Sequence, residues 1–310
     1  MWLISIAIMK LDLRSVREQQ LSIDFLAKKL VEGFITGLHK SPYHGFSVEF
    51  AEHRLYNNGE STRHIDWKVF AKTDKLFTKR YDEETNLRCH ILVDSSSSMR
   101  YPSETQAKLQ FSVYASAAIS WLLHRQRDAV GITTFTDKII TQSAVKSTQS
   151  HIHKLFLILD NLLASNQKLE TTDIPKVLHE IANTIHKRSL VVIFSDMFSN
   201  RKDHETLFSA LMHLRHNKHE VILFHVVDHA TEIDFSFDDR PHLFIDLETG
   251  DKIKLQPAQI KQRYRASAKA ELKYLKNKCG QLGIDFVEAN IADDFNHIFN
   301  SFLIKRRKMK

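Results

Sequence analysis

The chain has 310 residues, of which 43% are hydrophobic and 26% are charged, which is the composition of an ordinary globular protein. This length is enough for one large domain with a smaller attachment, and burial on that scale needs no disulfide or structural metal. The two cysteines, Cys89 and Cys279, lie far apart and in no ligand-like spacing, which indicates buried thiols in a reducing compartment. We therefore expect a cytoplasmic protein.

The sequence contains neither a membrane span nor a nucleic-acid-binding signature. The apolar stretch 2–8 is far shorter than the roughly 20 apolar residues that a span requires, and no signal-peptide cleavage site follows it. The formal charge is +7, but basic residues alternate with acidic ones everywhere except in the tail 305–310. Because no helix-turn-helix, zinc-ligand or aromatic RNA-binding pattern accompanies that tail, nucleic-acid binding is the weaker interpretation.

The first 86 residues are predicted to form a helix and then a polar, irregular segment. Apolar residues recur at spacings of three and four between about Asp12 and Leu38, which favours a helix. These residues are Leu21, Phe25, Leu26, Leu30 and Phe34. Short extended pieces are predicted over 46–85. We expect residues 1–86 to pack as an attachment on the main domain.

Residues 87–304 alternate between short apolar runs and amphipathic stretches. The predicted strands are 89–93, 129–135, 190–194, 221–227 and 284–287, with 137–142 pairing as a hairpin and a second hairpin within 241–256. The predicted helices are 104–127, 150–164, 174–186, 203–217, 257–281 and 293–304. Apolar strands separated by helices predict an α/β fold with a doubly wound, mostly parallel sheet covered on both faces. Residues 305–310 are left as a basic tail.

Polar residues stand where predicted strands end, and functional groups gather at that edge of a doubly wound sheet. Asp94, Ser96 and Ser98 follow the first strand, and alternate residues of an extended segment face the same way. Asp196 follows the run 190–194, and the segment 170–175 precedes a helix. Carboxylates and hydroxyls suit Mg²⁺, and Mn²⁺ accepts the same ligands. The absence of His and Cys from these positions argues against zinc.

These positions resemble the metal-ion-dependent adhesion site of von Willebrand factor A domains. The resemblance rests on Asp94-x-Ser96-x-Ser98, then Thr172, then Asp196. It implies that the first three residues supply loop ligands. It also implies that Thr172 adds a hydroxyl, directly or through water, and that Asp196 coordinates through water. One coordination position is left free in that family, and an acidic side chain of a protein partner completes it.

A second motif lies upstream, over residues 54–67. It consists of Arg54, Tyr56, Gly59, Glu60, Arg63, Asp66 and Trp67. This motif resembles the signature R-x-Y-x-x-G-[DE]-x-x-R-x-I-D-W of a bacterial family, domain of unknown function fifty-eight, and the likeness spans roughly residues 35–290. Members commonly occur beside MoxR-type AAA+ ATPases, which implies an adaptor role in a chaperone-like or complex-assembly system.

The upstream motif has two interpretations. In the first, Arg63 or Arg54 pairs with Asp66 or Glu60 and Trp67 anchors the segment on the main domain, because arginine and carboxylate form bidentate pairs. In the second, the same residues contact a partner directly.

The alternative to an interaction module is a Mg²⁺-dependent hydrolase or phosphotransferase at the same site. Neither a G-x-S-x-G elbow nor a phosphate-binding P-loop is present. A haloacid-dehalogenase-type enzyme needs an acid where Ser96 stands, and a general base is offered only by spare acids such as Asp173. The 18 histidines are scattered without ligand spacing and are expected to be surface or hydrogen-bonded residues. We therefore expect a non-enzymatic module.

Overall fold

The computed structural model describes residues 22–38, 53–55, 67–79, 87–102, 105–165, 173–197, 204–246 and 250–309. Contacts between residues divide the chain into two compact units. One unit spans residues 36–86, and the other contains the residues before and after it.

The smaller unit contains two short strands and a helix among its described residues. Strands β1 (His53–Leu55) and β2 (Phe77–Lys79) pair antiparallel, as expected for short extended pieces, and helix α2 is Trp67–Thr73. The sequence analysis did not predict α2. Seven residues make only about two turns, too few for a helical period to stand out.

The other helices and strands belong to the larger unit, apart from the last turn of α1. The helices are α1 (Ile23–Leu38), α3 (Ala107–Arg125), α4 (Gln149–Ala164), α5 (Ile174–Thr184), α6 (His204–His216), α7 (Pro257–Gln281) and α8 (Asn296–Met309). The strands are β3 (Arg88–Asp94), β4 (Ala129–Phe135), β5 (Ile139–Gln142), β6 (Leu190–Ser195), β7 (Glu220–Val227), β8 (His242–Ile245), β9 (Lys252–Leu255) and β10 (Asp285–Asn290).

Six of these strands form the central sheet, in the order β10-β7-β6-β3-β4-β5. All neighbouring pairs are parallel except β4 and β5, which form the predicted hairpin. Strands β8 and β9 form a separate hairpin, also as predicted. The predicted α/β architecture, a doubly wound and mostly parallel sheet flanked by helices, is confirmed, and it is that of a von Willebrand factor A-like domain.

The hydrophobic core lies on both faces of the sheet because its central strands are buried on both sides. Val191 and Ile193 of β6 pack in a cluster with residues of α5 and α6. The intervening residues of a strand point to the opposite face, where Phe194 stacks on Phe224 at 4.9 Å between ring centroids. Continuous apolar strands therefore identified the sheet correctly from sequence.

The first described helix packs with the larger unit over its residues up to Ile35. Its buried side chains, at spacings of three and four, are Ile23, Leu26, Ala27, Leu30 and Val31. Leu26 and Leu30 were predicted for this stripe, whereas Phe25, which was also predicted for it, is 50% exposed. The ammonium of Lys28 lies 5.0 Å from the centroid of the Trp121 ring of α3. Contacts group the described residues of α1 up to Ile35 with the larger unit, and the predicted boundary at residue 86 stays a prediction.

Two features of the larger unit differ from the expected elements. A π-helical turn, His229–Ile233, follows β7 where no element was predicted. Helix α8 continues to Met309, through residues that had been assigned to a tail. None of the helices within the described part of the chain is long and apolar enough to cross a membrane.

The buried His90 in β3 is expected to make the protein sensitive to mild acid. Burial lowers the pKa of His90 from 6.5 to about 4, with smaller contributions from His219, Arg88 and His186. The native state therefore excludes a proton that the unfolded chain accepts, so stability is retained above pH 6.5 and lost as the pH falls towards 4. Between pH 7 and pH 5, His90 should account for about 2 kcal/mol of lost unfolding free energy.

Urea denaturation of the wild type and of His90→Gln at both pH values measures this contribution. The glutamine variant should lose about 2 kcal/mol less between pH 7 and pH 5, because glutamine does not titrate. Equal losses in the two proteins would contradict the assignment. Replacing the exposed His153 by glutamine serves as the control, since it should leave the wild-type loss almost unchanged.

Candidate metal centre

The candidate site lies where the order of the strands reverses. From β3 the chain passes to β4 on one side, whereas from β6 it passes to β7 on the other, so β3 and β6 flank the switch point. Val93 pairs with Phe194 in the parallel register, which puts Asp94 beside Ser195, with Asp196 following directly. Ligands of open α/β sheets bind at the carboxyl ends of the strands at this point.

The serine loop after β3 is held by its own hydrogen bonds. The amide and the hydroxyl of Ser95 both donate to the carbonyl of Phe135 at the end of β4, each at 2.9 Å. The amide of Ser96 donates to Asp94 Oδ1 at 3.0 Å. The hydroxyl oxygens of Ser96 and Ser98 lie 3.0 Å apart. Asp94, Ser96 and Ser98 therefore lie together, but not because the segment is extended as predicted: Ser97 has helical backbone angles and Ser98 begins a 3₁₀ turn.

Asp196 is paired with a buried lysine. The ammonium of Lys108, in the first turn of α3, donates to Asp196 Oδ2 at 2.8 Å and to Glu232 Oε1 at 2.7 Å. The other oxygen of Glu232 accepts the amide of Asp228 at 2.8 Å, at the start of the π-helical turn. Burial alone would lower the pKa of Lys108, but the Asp196 and Glu232 carboxylates raise it above its ordinary value. Lys108 is therefore charged.

Asp94 lies in an environment that disfavours its negative charge. Its side chain is fully buried, and burial together with the nearby Asp196 carboxylate raises its pKa from 3.8 to about 7. Hydrogen bonds oppose this rise, notably from the hydroxyl of Ser195 to Asp94 Oδ2 at 2.6 Å. The cluster contains three carboxylates and one ammonium, so it lacks positive charge.

The described residues fit a hard divalent cation. Two Mg²⁺ ligands at right angles, each about 2.0–2.1 Å from the ion, lie about 3.0 Å apart. The Ser96 and Ser98 hydroxyl oxygens have this separation. A cation beside Asp94 would also supply the positive charge that is needed to compensate its buried carboxylate. The hydroxyl and carboxylate donors and the charge balance are therefore those that a hard divalent cation needs, and the cation itself stays a prediction.

The fifth predicted ligand, Thr172, lies outside the described residues, but the chain on either side of its segment is held. Arg100 donates to the carbonyl of Ser165 at 2.9 Å and to its hydroxyl at 3.2 Å. On the other side, Asp173 caps α5 by accepting the amide of Lys176 at 3.1 Å.

Lys108 is the residue that sequence reasoning missed. It begins a buried stripe of α3 in which each hydroxyl of Ser112, Ser116 and Ser120 donates to the carbonyl four residues earlier. The sequence signal for this burial is the spacing: Lys108 stands four residues before Ser112, and a lysine at the spacing of a buried stripe is expected to point inward. No sequence pattern pointed to Glu232, the second partner of Lys108, because the π-helical turn that contains it was not predicted.

His225 is a second missed group near the site. It lies opposite Ser195 in the register between β6 and β7, and its ring stacks on Phe286 at 5.5 Å. Its Nδ1 has no hydrogen-bond partner within the described part of the chain. Burial lowers its pKa from 6.5 to about 4, against the opposing effect of Asp196. It is therefore a neutral ring near neutral pH.

A model of the family described as "Protein of unknown function DUF58" matches residues 52–274, which is more than half of the chain. The chain belongs to the DUF58 family. The match includes both the upstream motif and the serine loop, so the family resemblance predicted from those motifs is confirmed.

Curated relatives of this DUF58 chain include two mycobacterial proteins. The chain is 22% identical over 175 residues to the uncharacterized protein Rv1480 of Mycobacterium tuberculosis, and to the same extent to the uncharacterized protein Mb1516 of Mycobacterium bovis. Each alignment covers 56% of this chain and 55% of the relative, so the chain spans about half the length of the curated relatives it matches.

Solved structures that are similar to the DUF58 chain include two from Bacteroides. BatB of Bacteroides thetaiotaomicron has 14% identity and a TM-score of 0.43, covering 72% of this chain and 98% of that one. An aerotolerance-related membrane protein of Bacteroides fragilis, carrying multiple mutations to serine, has 14% identity and a TM-score of 0.43, covering 72% and 99%.

The upstream motif is only partly described. Arg54 lies in β1 opposite Thr78. Trp67 begins α2, where its ring meets Phe70 edge-on at 6.1 Å between centroids and is 60% exposed. The other motif residues, Tyr56, Gly59, Glu60, Arg63 and Asp66, lie outside the described residues. The predicted pairing of these residues stays a prediction.

Proposed function

We propose that this DUF58 chain is a divalent-cation-dependent protein-interaction module. The cation, Mg²⁺ or Mn²⁺, is held by Asp94, Ser96 and Ser98, with Asp196 through water and Thr172 completing the set. When bound, the ion offers a coordination position to a carboxylate of a protein partner. The main support is the pair of Ser96 and Ser98 hydroxyl oxygens, 3.0 Å apart beside a buried Asp94, at the switch point of the sheet.

The ion pair of Lys108 explains why Asp196 and Asp94 have different roles in this proposal. Its ammonium pairs with Asp196 at 2.8 Å, so the charge of that carboxylate is already compensated. In this proposal Asp196 therefore binds a water of the ion rather than the ion itself. Asp94 retains its hydrogen bonds from Ser195 and the Ser96 amide, which orient it towards the loop.

The enzymatic alternative has less support from the same geometry. An enzyme needs a base or nucleophile beside the metal. The carboxylate of Asp173, which the sequence offered for that role, caps α5 instead. Among the described groups near the site, Lys108 is ion-paired and His225 is 9% exposed and stacked within the sheet. That the protein is not an enzyme stays a prediction.

The proposed partner class is a MoxR-type AAA+ ATPase, and it rests on the family resemblance alone. Binding is tested by pull-down of a purified MoxR-type ATPase on immobilised wild type and Asp94→Ala, both in the same Mg²⁺ concentration. Any Mg²⁺ that the ATPase itself requires is then equally available in the experiments with wild type and with Asp94→Ala. Capture by the wild type only supports the proposal, and equal capture by the variant would argue against a role for the ion in recognition.

Isothermal titration with Mg²⁺ and with Mn²⁺ tests the cation site itself. The wild type is expected to bind one ion saturably, and Asp94→Ala is expected to bind none, because the buried loop carboxylate is lost. Ser96→Ala should weaken binding about tenfold or more, since one hydroxyl oxygen leaves the ion's shell. Ser97→Ala is the matched control, because it removes a hydroxyl of the same loop outside the proposed ligand set.

The titration contradicts the proposal if the heats of wild type and Asp94→Ala are the same. It also does so if Ser97→Ala weakens binding as much as Ser96→Ala. In the first case the motif serves only to cap and orient the loop.

A further inference from the structure

A pair of histidines joins α5 and α6. His179 Nδ1 and His213 Nδ1 lie 3.0 Å apart, with ring centroids 5.2 Å apart and ring planes at 44°. Both side chains are half-buried. Since each helix leads towards the amino end of the next strand, the pair lies away from the carboxyl ends of the sheet, where the serine loop is.

The two helices hold these rings on a well-packed interface. Leu178 and Leu211, which adjoin the interface on either side, are fully buried. The side-chain Nδ2 of Asn217 donates to the carbonyl of Ala182 at 2.7 Å, so a hydrogen bond also joins the ends of the two helices. Donor atoms on packed helices are positioned more firmly than donors on loops.

The contact between the two Nδ1 atoms requires one proton. One ring donates the hydrogen bond and the other accepts it. The two nitrogen atoms that would bind a metal therefore already face each other, with one hydrogen atom between them. Metal–imidazole bonds of about 2.0–2.1 Å, spanning donors 3.0 Å apart, enclose an angle of about 94° at the ion. That angle is close to the right angle of tetragonal Cu²⁺ or Ni²⁺, ions that imidazole nitrogens suit.

We propose that His179 and His213 form a two-imidazole site for Cu²⁺ or Ni²⁺. The ion replaces the proton between the two Nδ1 atoms, and that proton moves to Nε2 of the same ring, so both rings stay neutral and no electron is transferred. Each ring turns by roughly 40° about χ2, a torsion that is broad for histidine. The proposal assigns the remaining positions to water. Among the described residues there is no group of three or more His, Cys, Asp or Glu that could hold a metal.

This site differs in chemistry from the serine loop. Imidazole nitrogens favour borderline transition ions, whereas hydroxyl and carboxylate oxygens favour Mg²⁺. The two sites should therefore be independent. Ni²⁺ binding at the histidine pair should survive Asp94→Ala, and Mg²⁺ binding at the loop should survive His179→Gln.

Titration of the tag-free full chain with NiCl₂ and with CuCl₂ tests the site by isothermal calorimetry and by the shift in Tm. We expect one ion to bind to the wild type and to raise its Tm. His179→Gln and His213→Gln should each weaken that binding about tenfold or more. The double variant should lose less affinity than the sum of the two single losses, because the first missing ligand already removes the chelate.

The control is His186→Gln, which removes an exposed imidazole near the same end of the unit and should bind Ni²⁺ like the wild type. Since the chain has 18 histidines, binding through scattered surface rings is the competing outcome. It would show as equal affinities in wild type and His179→Gln, or as additive losses in the double variant. Either result, or the absence of binding by the wild type, would overturn the proposal.

Discussion

Replacing Lys108 by methionine is expected to lower the free energy of unfolding by about 3–5 kcal/mol and Tm by about 10 °C. Lys108 is fully buried, and its ammonium lies 2.8 Å from Asp196 and 2.7 Å from Glu232. Methionine has nearly the same length and fills the space, so the loss isolates the charge. Two carboxylates remain beside the site without their cation, and an unpaired buried charge costs much more than the pair contributes.

Urea denaturation with and without further substitutions measures this loss. Adding Glu232→Gln and Asp196→Asn to Lys108→Met should restore part of the lost stability, because the uncompensated carboxylates are then gone. Lys276→Met, a change of the same shape at an exposed position, should alter stability by less than about 0.5 kcal/mol. A loss in Lys108→Met no larger than in this control would mean that the ion pairs contribute nothing.

The fold was predictable because its signal is periodic and long-ranged. Strands buried on both faces are continuous apolar runs, and the run 190–194 is buried at every position. Helix α5 begins after the capping residue Asp173 and has Pro175 in its first turn. This combination is a recognised sequence signal for the start of a helix. Short or irregular elements failed for the opposite reason. Trp67–Thr73 and His229–Ile233 are each too short to repeat a pattern.

The candidate site was predictable only where its residues adjoin one another in sequence or end a strand. Asp94, Ser96 and Ser98 share a loop, and Asp196 follows the neighbouring strand. Lys108 and Glu232 are separated by 124 positions and meet through the packing of α3 against the π-helical turn. His179 and His213 likewise lie on two different helices and are 34 positions apart in sequence. No spacing rule reports such meetings, because they depend on how whole elements pack.

Asp94→Asn is expected to change stability in opposite directions with and without a divalent cation. The native pKa of Asp94, raised by burial and then by Asp196 to about 7, exceeds its ordinary value of 3.8, so the native state holds the proton more tightly than the unfolded chain. Stability therefore falls as the pH rises from about 4 to about 7 and remains low above that. At pH 8 in EDTA, the rise in pKa from 3.8 to about 7 corresponds to roughly 4 kcal/mol of lost stability. Asparagine should recover about 2 kcal/mol of this, because its Nδ2 cannot accept the hydrogen bond that Asp94 Oδ2 accepts from Ser195.

Saturating Mg²⁺ should reverse that order, because the ion binds the native wild type and stabilises it by about 2.7 kcal/mol at one hundred times its dissociation constant. Asp94→Asn should gain almost nothing from Mg²⁺. Asp137→Asn, at the end of the neighbouring strand β4, is the control and should respond to Mg²⁺ like the wild type. A variant that is less stable than wild type in EDTA would show that the Asp94 charge is already compensated by the protein. In that case the buried carboxylate would give no reason for a cation to bind, and the loop would be held by its hydrogen bonds alone.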